Sequence, residues 1–468
     1  MLYQVPQNID SNKVFLVNFS ELEGRLDPLF YTSQFVEITN ALKKTTSYKL
    51  LGQVVNFSNE FWNQKDYYKE SFPYIEIGAI NITDGTIREI VYIPVEEAPS
   101  RAKVIVRTND IIISTTRPGR GAIAKITEHE NNYIVSTGFS VIRSVDGSVD
   151  RDYLFSILRL DILLKQMIQR STGGNYPAIT QEELSKVVVP IPSKEIQDRI
   201  VSIIQVALSE KQQKEKQAKV LLNSIDDYLL GELGVELPKK ESQTLQDRIF
   251  TVNFREVEGR LDPTVYKDGI KLISTKWDNI RLSKVAFVNP SGAYKGENIE
   301  TPISFVPMEV VDERFSEITT MGKTTIEQSS GFTKFREGDL LWAKITPCMQ
   351  NGKSAVAKNL TNGLGCGSTE FFVLRPKDER LAIEYLHVIL HMKCVRETAM
   401  LYFGGSAGQQ RVSSSFLENF NLPLPPKEKQ VEIAQYVYKM RQQAKALQEE
   451  GKAILEEAKK EVEAMIIG

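Results

Sequence analysis

The longest regular pattern of apolar positions lies near the end of the chain. Apolar or small residues follow one another there in alternating steps of four and three, with Glu461 as the one polar member of the series: Ile433, Val437, Met440, Ala444, Leu447, Gly451, Ile454, Ala458 and Met465. Such steps give the 3.5-residue period of a helix that packs along another helix. The small side chains of Ala444, Gly451 and Ala458 predict a close approach of two helix backbones at this seam.

A second long helix is predicted in the middle of the chain. Its apolar face is marked by Ile196, Ile200, Ile203, Ala207, Leu221, Ile225 and Tyr228 or Leu229. A helix of about 35–40 residues spans about 50–60 Å, which is longer than one side of a 150-residue domain. The simplest interpretation is that the two long helices pair with each other as an antiparallel coiled coil. In the alternative interpretation, each helix packs only on its own domain.

The chain also repeats itself, and repeats of this length identify the architecture. The segments of the first half that recur in the same order in the second half are "LVNFSELEGRLDPLFY" (16–31) with "TVNFREVEGRLDPTVY" (251–266), "NDIIISTTRPGRGAIAKI" (109–126) with "GDLLWAKITPCMQNGKSAVA" (338–357), "STGFSVIR" (136–143) with "STEFFVLR" (368–375), "STGGNYPAIT" (171–180) with "FGGSAGQQRVS" (403–413), and "VVVPIPSKEIQDRIVSIIQ" (187–205) with "FNLPLPPKEKQVEIAQYVY" (420–438). Five matches in one order indicate a duplicated chain.

Each half therefore has the same predicted order of elements. A short opening is followed by alternating strand patterns such as "KVIVRTNDIIIS" and "KFREGDLLWAKI", then by a short helix, and last by the long helix. The segment "GELGVELPKKESQTLQD" (231–247) predicts a linker after the first long helix. The expected fold class is α+β, with two tandem pseudo-symmetric halves.

Composition narrows the function. The 468 residues are 41% hydrophobic and 25% charged, with a net charge of −2, so the chain lacks the strong basic excess of many nucleic-acid binders. The N-terminus shows no signal peptide and no segment could span a membrane, so the cytoplasm is the expected compartment. The cysteines Cys348, Cys366 and Cys394 form no CxxC pair, and no metal site is expected. His387 and His391 are interpreted as ordinary helix residues.

No catalytic residues and no cofactor are expected. The segment "MGKTT" (321–325) has Glu317 where a phosphate-binding loop needs its first glycine. The segment "VNPSG" (288–292) lacks the aromatic residue of the amino-methyltransferase tetrapeptide, and "YFGGSAG" (402–408) follows a helical pattern instead of a strand. The chain has no recognisable set of nucleophile, base and orienting group, so a non-catalytic role is predicted.

The duplicated Gly-Arg-Leu-Asp-Pro opening, the Pro-x-Pro-x-Lys-Glu-x-Gln helix start and the long helix that closes each half resemble the specificity subunit of type I restriction–modification systems. The resemblance covers nearly the whole chain. It implies two target-recognition domains (33–186 and 267–419), openings at 1–32 and 251–266, a central spacer and linker at 187–250, and a C-terminal spacer at 420–468. The spacer helices themselves would occupy 193–230 and 426–466. It further implies that double-stranded DNA, two methyltransferase subunits and, for cleavage, motor–nuclease subunits are the partners.

Two polar loops in each half are the candidate DNA contacts, because arginine and lysine suit guanine or phosphate and asparagine and glutamine suit adenine. In the first half they carry Arg117, Arg120 and Lys125, and Asn175 and Tyr176. In the second half they carry Lys344, Gln350, Asn351 and Lys353, and Ser406, Gln409, Gln410 and Arg411. The alternative interpretation for each loop is a solvated turn without a ligand.

The repeated opening supplies the candidate partner contacts. Arg25 and Asp27 recur as Arg260 and Asp262, and each Arg–Asp pair precedes a proline. Such a pair either fixes a turn that attaches the N-terminal segment or contacts a partner subunit. Repetition fits both roles, since both halves perform the same scaffold task.

The expected function is sequence recognition and scaffolding, in which each half reads one part of a bipartite, asymmetric DNA site. The alternatives are the recognition subunit of a two-part restriction enzyme whose partner fuses methylase and nuclease, an adaptor that binds proteins instead of DNA, and an enzyme with a degenerate methyltransferase site.

Overall fold

The computed structural model describes residues 15–17, 19, 22–44, 47–63, 67–238, 251–252, 262–406 and 409–467. The chain divides into two compact units. The first contains residues 1–213 together with 450–468, and the second contains residues 214–449. Each unit therefore combines a strand-rich body from one half with segments of both long helices.

The first half alternates short strands and helices. Its helices are α1 Ser33–Lys44, α2 Leu51–Val54, α3 Arg151–Ile157, α4 Asp161–Gln169, α5 Gln181–Ser185 and α6 Lys194–Leu233. Its strands are β1 Tyr48–Leu50, β2 Val55–Ser58, β3 Ser71–Ile75, β4 Val91–Pro94, β5 Ala102–Ile105, β6 Ile111–Ser114, β7 Ile123–Lys125, β8 Ile134–Ser136, β9 Phe139–Val145 and β10 Val188–Pro190.

The second half follows the same plan. Its helices are α7 Pro263–Asp268, α8 Ile383–His391, α9 Lys393–Met400, α10 Ser414–Asn419 and α11 Lys427–Ile467. Its strands are β11 Asn279–Arg281, β12 Ala286–Val288, β13 Pro302–Val306, β14 Gly322–Thr325, β15 Thr333–Arg336, β16 Leu340–Ala343, β17 Ser354–Val356, β18 Leu364–Gly367, β19 Phe371–Pro376, β20 Phe403–Gly404, β21 Arg411–Val412 and β22 Asn421–Pro423.

The sheets of the two halves correspond strand for strand. The first half has the strand orders β2-β9-β6-β7 and β4-β3-β8-β5, and the second has β12-β19-β16-β17 and β14-β13-β18-β15. The parallel pair β3 and β8 recurs as β13 and β18. A short antiparallel pair, β1 with β10 and β11 with β22, closes each body just before the long helix. The predicted duplication and the mixed helix–sheet fold class are confirmed.

The central strand of each body is buried on both faces because its apolar residues are consecutive. Ile111 and Ile113 join the cluster that holds the helices, whereas Ile112 joins the cluster under the second sheet. In the second half, Leu340 and Trp342 face the helices and Leu341 faces the other sheet. Alternate strand residues point to opposite faces, so a run of apolar residues predicts a sheet covered on both sides.

The repeated glutamine of the helix-start motif anchors each long helix. The Gln430 carbonyl accepts a hydrogen bond from the Ala382 amide (2.8 Å), and its amide donates to the carbonyls of Arg380 and Pro425 (both 2.8 Å). Gln197 does the same in the first half, where its carbonyl accepts from the Asp150 amide at 2.8 Å. Both side chains are buried, so this residue satisfies backbone groups that water cannot reach.

The two long helices contact each other inside each unit, and they run in opposite directions there. In the second unit, Glu232 pairs with Lys429 (2.9 Å), and the rings of Tyr228 and Tyr436 lie 4.4 Å apart. In the first unit, Ala207 packs with the side chains of Leu455 and Ala458. As the residue number rises along α6, the number of its partner on α11 falls in both units.

The predicted seam on α11 is correct as far as Gly451 and again at Ala458, but the other fully buried positions of the last turns differ from the predicted ones. The buried positions after Gly451 are Leu455, Ala458, Val462 and Ile466, whereas Glu461 is exposed. Val462 and Ile466 belong to the core cluster of the first body. The final turns therefore pack on a globular core with the 3.6-residue period of a straight helix, not with the 3.5-residue period of a coiled coil.

The single helix predicted before each long helix is two helices. In the first half, α3 ends at Ile157 and α4 begins at Asp161, and in the second half Met392 separates α8 from α9. Leu160 and Met392 have extended backbone angles at these breaks, with ψ of 149° and 140°. Apolar periodicity continues across both breaks, which is why the sequence pattern did not reveal them.

Candidate nucleic-acid interface

Three repeated segments of the first half meet at one place, which we name the first junction: residues 115–121, 136–138 and 172–179. The Thr115 amide donates to the Gly138 carbonyl (2.8 Å), and the Ile179 amide donates to the Thr115 carbonyl (2.9 Å). The Arg117 amide donates to the Pro177 carbonyl (2.7 Å). The two loops that the sequence predicted as DNA contacts of the first half are therefore neighbours in space.

The second half builds the same arrangement, the second junction, from residues 344–353, 368–370, 403–406 and 409–412. The Lys344 amide donates to the Glu370 carbonyl, and the Val412 amide donates to the Lys344 carbonyl (both 2.9 Å). The Thr346 amide donates to the Gln410 carbonyl (3.0 Å). The backbone hydrogen bonds thus match those of the first junction, whereas the side chains at the matching positions differ.

Arg117 is a hydrogen-bond donor of the first junction whose side chain is held by its neighbours. Its guanidinium lies over the Tyr176 ring, 4.2 Å from the centroid, and Nη2 donates to the Asn175 carbonyl (3.1 Å). Tyr176 is 70% exposed, so this stacked pair faces solvent. Arg117 has a positive φ of 50°, which is uncommon for a residue with a side chain. In this backbone conformation the guanidinium lies over the Tyr176 ring and beside the Asn175 carbonyl.

Arg120 and Lys125 have different surroundings. Arg120 is exposed at the end of the short helix Pro118–Arg120 of the first junction. Lys125 lies on β7 opposite Ile111, which is the end of the β6–β7 ladder away from the loop, and it forms an ion pair with Asp152. The structure therefore does not bring Lys125 together with Arg117 and Arg120.

An arginine–glutamate pair dominates the second junction. The Nε and Nη2 atoms of Arg411 donate to the two carboxylate oxygens of Glu370, at 2.9 and 2.7 Å. These hydrogen bonds lower the pKa of Glu370 and raise the pKa of Arg411. Ser406 and Gln409 are exposed beside the pair, and Lys344 lies with its ammonium 5.5 Å from the centre of the Phe372 ring.

The remaining predicted contacts of the second half lie on the turn after the cis peptide bond between Thr346 and Pro347. Asn351 is exposed there. Gln350 is half-buried, and its backbone carbonyl accepts a hydrogen bond from the Arg396 side chain. The Lys353 ammonium donates to the Met308 carbonyl (3.1 Å), so this charge points into the domain instead of out of the loop.

Sequence analysis missed Glu370 and a neighbouring groove. A groove of about 350 Å³ extends from Lys344 to Lys334 and is also lined by Asn289 and Ser291. Lys334 is exposed and lies over the Tyr294 ring, with its ammonium 5.2 Å from the centroid. A signal for Glu370 was present in the repeat itself, because "STGF" in the first half becomes "STEF" in the second.

The repeated opening forms a capped turn. Arg25 pairs with Asp27 (3.4 Å), and the Asp27 carboxylate accepts from the Leu29 amide (3.1 Å) at the start of a short helix, Pro28–Tyr31. In the second half, the Asp262 carboxylate accepts from the Thr264 amide (3.0 Å) at the start of α7. Arg260 lies outside the described residues. The local role of the aspartates is therefore to cap a helix.

Within the described residues, no three histidine, cysteine, aspartate or glutamate residues group in a way that could hold a metal ion. Among the same residues, no helix combines the length and apolarity needed to cross a bilayer. His387 on α8 is buried and hydrogen-bonded to the Tyr438 hydroxyl of α11 (2.8 Å). His391, at the end of α8, is half-buried and hydrogen-bonded to the Glu313 carbonyl (3.2 Å).

Comparison with known proteins gives one consistent result. Residues 44–224 and 276–457 each match the family described as the type I restriction modification DNA specificity domain. A 164-residue stretch is 39% identical to the type I restriction enzyme EcoEI specificity subunit of Escherichia coli and covers 34% of this chain and 26% of that protein. A 157-residue stretch is 31% identical to the HindI specificity subunit of Haemophilus influenzae, covering 33% of this chain and 34% of that protein.

These matches therefore span about a quarter to a third of the length of the curated relatives. A solved chain from work on the structural basis of complex assembly and conformational transition of the type I R-M system shares the fold, with a TM-score of 0.52 and 22% identity over 90% of this chain and 96% of that one. The family matches fall on both halves and together cover most of the sequence. The chain belongs to the DNA specificity family of type I restriction–modification systems.

Proposed function

We propose that this chain is the DNA sequence-recognition and scaffold subunit of a type I restriction–modification complex. Each half reads one part of a bipartite, asymmetric site, and partner subunits carry out methylation. The observation that carries this proposal is the pair of junctions, because matching backbone hydrogen bonds support unlike side chains in the two halves. One recognition framework with two sets of donors suits two different half-sites.

The exposed chemistry of the junctions supports DNA as the ligand. The side chains available there for base edges or phosphates, all exposed or half-buried, are Arg117, Arg120, Asn175, Tyr176, Lys344, Asn351, Ser406, Gln409, Gln410 and Arg411. Arginine suits guanine, and asparagine and glutamine suit adenine. A contact of DNA with Lys125 or Lys353 requires each side chain to leave the partner that it has in the structure. In the described part of the chain, the Gln350 side chain has only a long contact to the Met400 sulfur (4.0 Å), and Arg396 binds its backbone carbonyl.

The proposed domain bounds follow from the proposed function. Residues 33–186 and 267–419 would be the two target-recognition domains, and α6 and α11 would be the spacer that sets their separation. The helix contacts found within each unit support a paired spacer. At Gly451, an added β-carbon would lie 3.4 Å from the Lys211 α-carbon, which is the close backbone approach that a rigid helix pair needs.

The repeated opening is the proposed docking surface for two methyltransferase subunits, one for each half. Leu26 and Leu29 are 87% and 73% exposed beside the Arg25–Asp27 pair, and the Arg260–Asp262 motif repeats the sequence in the second half. Exposed leucines next to fixed charges suit a protein partner. Motor–nuclease subunits would join the same assembly for cleavage, and the chain itself would perform no chemistry.

The net charge of −2 is consistent with phosphate contacts that are divided between this chain and its partner subunits. Phosphate contacts supply most of the non-specific affinity of DNA-binding proteins and make it salt-dependent. A nearly neutral reader therefore binds weakly by itself, and the methyltransferase partners would supply the missing phosphate contacts. Binding of the isolated chain is expected to be weak, and its salt dependence is expected to become steeper when the methyltransferase partners add their phosphate contacts.

Methylation mapping tests the proposal. The chain is co-expressed with the methyltransferase of its system in a host without other adenine methylation, and modified adenines are located by single-molecule sequencing. The expected result is one motif of two short, unlike parts separated by unspecified bases. A contiguous or palindromic motif, or methylation that does not depend on this chain, would contradict the proposal.

A further inference from the structure

The Arg411–Glu370 pair has a geometry that leaves part of the arginine free. Glu370 binds the side edge of the guanidinium, through Nε and Nη2. The Nη1 atom donates to the Gln409 carbonyl (3.0 Å). Arginine has five N–H donors, so among the contacts of the described residues one hydrogen on Nη1 and one on Nη2 remain unused.

The free end of Arg411 faces a partly open surface. The Arg411 side chain is 43% exposed and the Glu370 side chain is 21% exposed. Glu370 is itself fixed, because its backbone carbonyl accepts from the Lys344 amide at 2.9 Å. Two adjacent N–H donors that project from a fixed guanidinium match the O6 and N7 acceptors of guanine in the major groove.

Stabilisation of the loop is a weak alternative explanation for this pair. A two-point arginine–carboxylate pair is among the stronger partly exposed ion pairs, so the comparison of the two junctions decides whether the loop needs it. The backbone hydrogen bonds of the second junction also recur in the first junction, where no such ion pair exists. The matching position to Glu370 is Gly138 there, and the position that matches Arg411 is Ala178. The fold therefore does not need the pair.

The first junction positions its own arginine through a different kind of side-chain contact. Arg117 comes from the loop after β6, whereas Arg411 comes from the last segment of its junction. Arg117 is supported by the face of the Tyr176 ring, and Arg411 is supported by a carboxylate. Each junction thus presents one arginine that is held by a neighbouring side chain, but the two arginines come from different segments of the matching backbone arrangement.

From this geometry we infer that Arg411 reads a guanine in the half-site of the second half, and that Glu370 is the positioning residue that directs the guanidinium toward it. The inference rests on the proposed function and deepens it, since it assigns one base class to one residue. Without Glu370, the arginine keeps its charge but loses its fixed orientation, so discrimination between bases falls more than overall attraction to DNA.

The test uses the full chain with its methyltransferase partner and compares wild type with Arg411→Ala, Glu370→Gln and the double variant. Methylated motifs are mapped, and binding is measured on duplexes that carry guanine or another base at each specified position. We expect Arg411→Ala to lower discrimination about 10- to 100-fold at one guanine, the effect of one bidentate contact. Glu370→Gln lowers it at the same guanine, and the double variant is no worse than Arg411→Ala.

Two controls accompany these variants. Arg380 makes the same two-point pair with Asp378 (3.0 and 2.8 Å) away from the junction, so Arg380→Ala should leave the motif unchanged. The half of the motif that the first junction reads serves as an internal check that each variant is folded. Equal loss of binding to all sequences would identify Arg411 as a phosphate contact, and an unchanged motif would show no role; either outcome overturns the inference. A wild-type chain without a bipartite motif would instead refute the proposed function.

Discussion

The backbone of Lys211 on α6 lies directly against Gly451 on α11. A β-carbon added at Gly451 would come within 3.4 Å of both the α-carbon and the carbonyl oxygen of Lys211. Ala207 and Leu455 pack nearby in the same unit. The glycine in the predicted seam therefore permits contact between two helix backbones, and the site can be used to test the helix pair.

Replacement of Gly451 by leucine is expected to destabilise the protein. The larger side chain has no space between the helices, and overpacking of this kind costs about 1–3 kcal/mol. The free energy of unfolding measured in urea checks this. Gly231→Ala is the matched control, because no atom lies within 4 Å of its added β-carbon. Alanine is a better helix former than glycine, so this control should stabilise α6 by up to about 1 kcal/mol.

The repeated glutamine of the helix start gives a second prediction. Gln430→Leu leaves the Ala382 amide and the carbonyls of Arg380 and Pro425 without their hydrogen-bond partner. Buried polar groups without partners cost about 1–3 kcal/mol each, so the free energy of unfolding should fall by at least about 2 kcal/mol. Gln442→Leu, at an exposed position of the same helix, should change it by less than about 0.5 kcal/mol. Similar values for both variants would refute the anchoring role.

The two histidines of α8 predict how stability depends on pH. Burial lowers the pKa of His387 and of His391 well below the ordinary value of about 6.5, and the positive charge of Arg441 adds to this shift. Both rings are therefore neutral when folded and take up protons on unfolding. Their contribution to stability is present above pH 6.5 and is lost as the pH falls below that value.

The variant His387→Phe tests this pH dependence, because Phe155 occupies the matching position of the first half. It should reduce the slope of the unfolding free energy between pH 6.5 and pH 5 by up to about 1.4 kcal/mol per pH unit. Its absolute stability also falls, since the Tyr438 hydroxyl loses its partner. Gln442→Leu, which removes no titratable group, should leave the slope as it is. An unchanged slope in His387→Phe would contradict the assignment.

A substitution at Arg117 can separate an effect on protein stability from an effect on DNA recognition. Its φ of 50° favours glycine, so Arg117→Gly should raise the free energy of unfolding by up to about 1 kcal/mol. The same variant removes the guanidinium that lies over Tyr176, and it should relax one part of the methylation motif only. Asn109→Gly, at another positive φ (70°), should stabilise the chain without any change in the motif. Loss of both parts of the motif in Arg117→Gly would contradict the assignment of this residue to one half-site.

The repeat made much of the fold predictable. Matching segments in one order implied matching strands, and the polar loops before each long helix were identified because they occur twice. The pairing of those loops within each junction was not predictable from periodicity, because it depends on contacts between residues far apart in sequence. Lys125 and Lys353 looked like free cations, but Asp152 and the Met308 carbonyl bind them in the folded chain.

The pairing of Glu370 with Arg411 was also not predictable from the sequence. Only the fold brings Glu370 to Arg411, 41 residues later in the chain. The end of the α11 seam was mispredicted because Val462 and Ile466 pack on the core of the first body, whose residues are distant in sequence. Local patterns therefore predicted which elements form, whereas partners of individual side chains required the tertiary structure.

Insertion of one heptad into both long helices is the most direct test of the central claim, that two unlike readers are held at a set distance by paired helices. Seven residues lengthen a helix by about 10.5 Å, which is the length of about three base pairs. The insertions follow Gln213 in α6 and Glu449 in α11, and the methylated motif is mapped. Both parts of the motif should keep their bases while the gap between them grows. A motif with an unchanged gap would contradict the account.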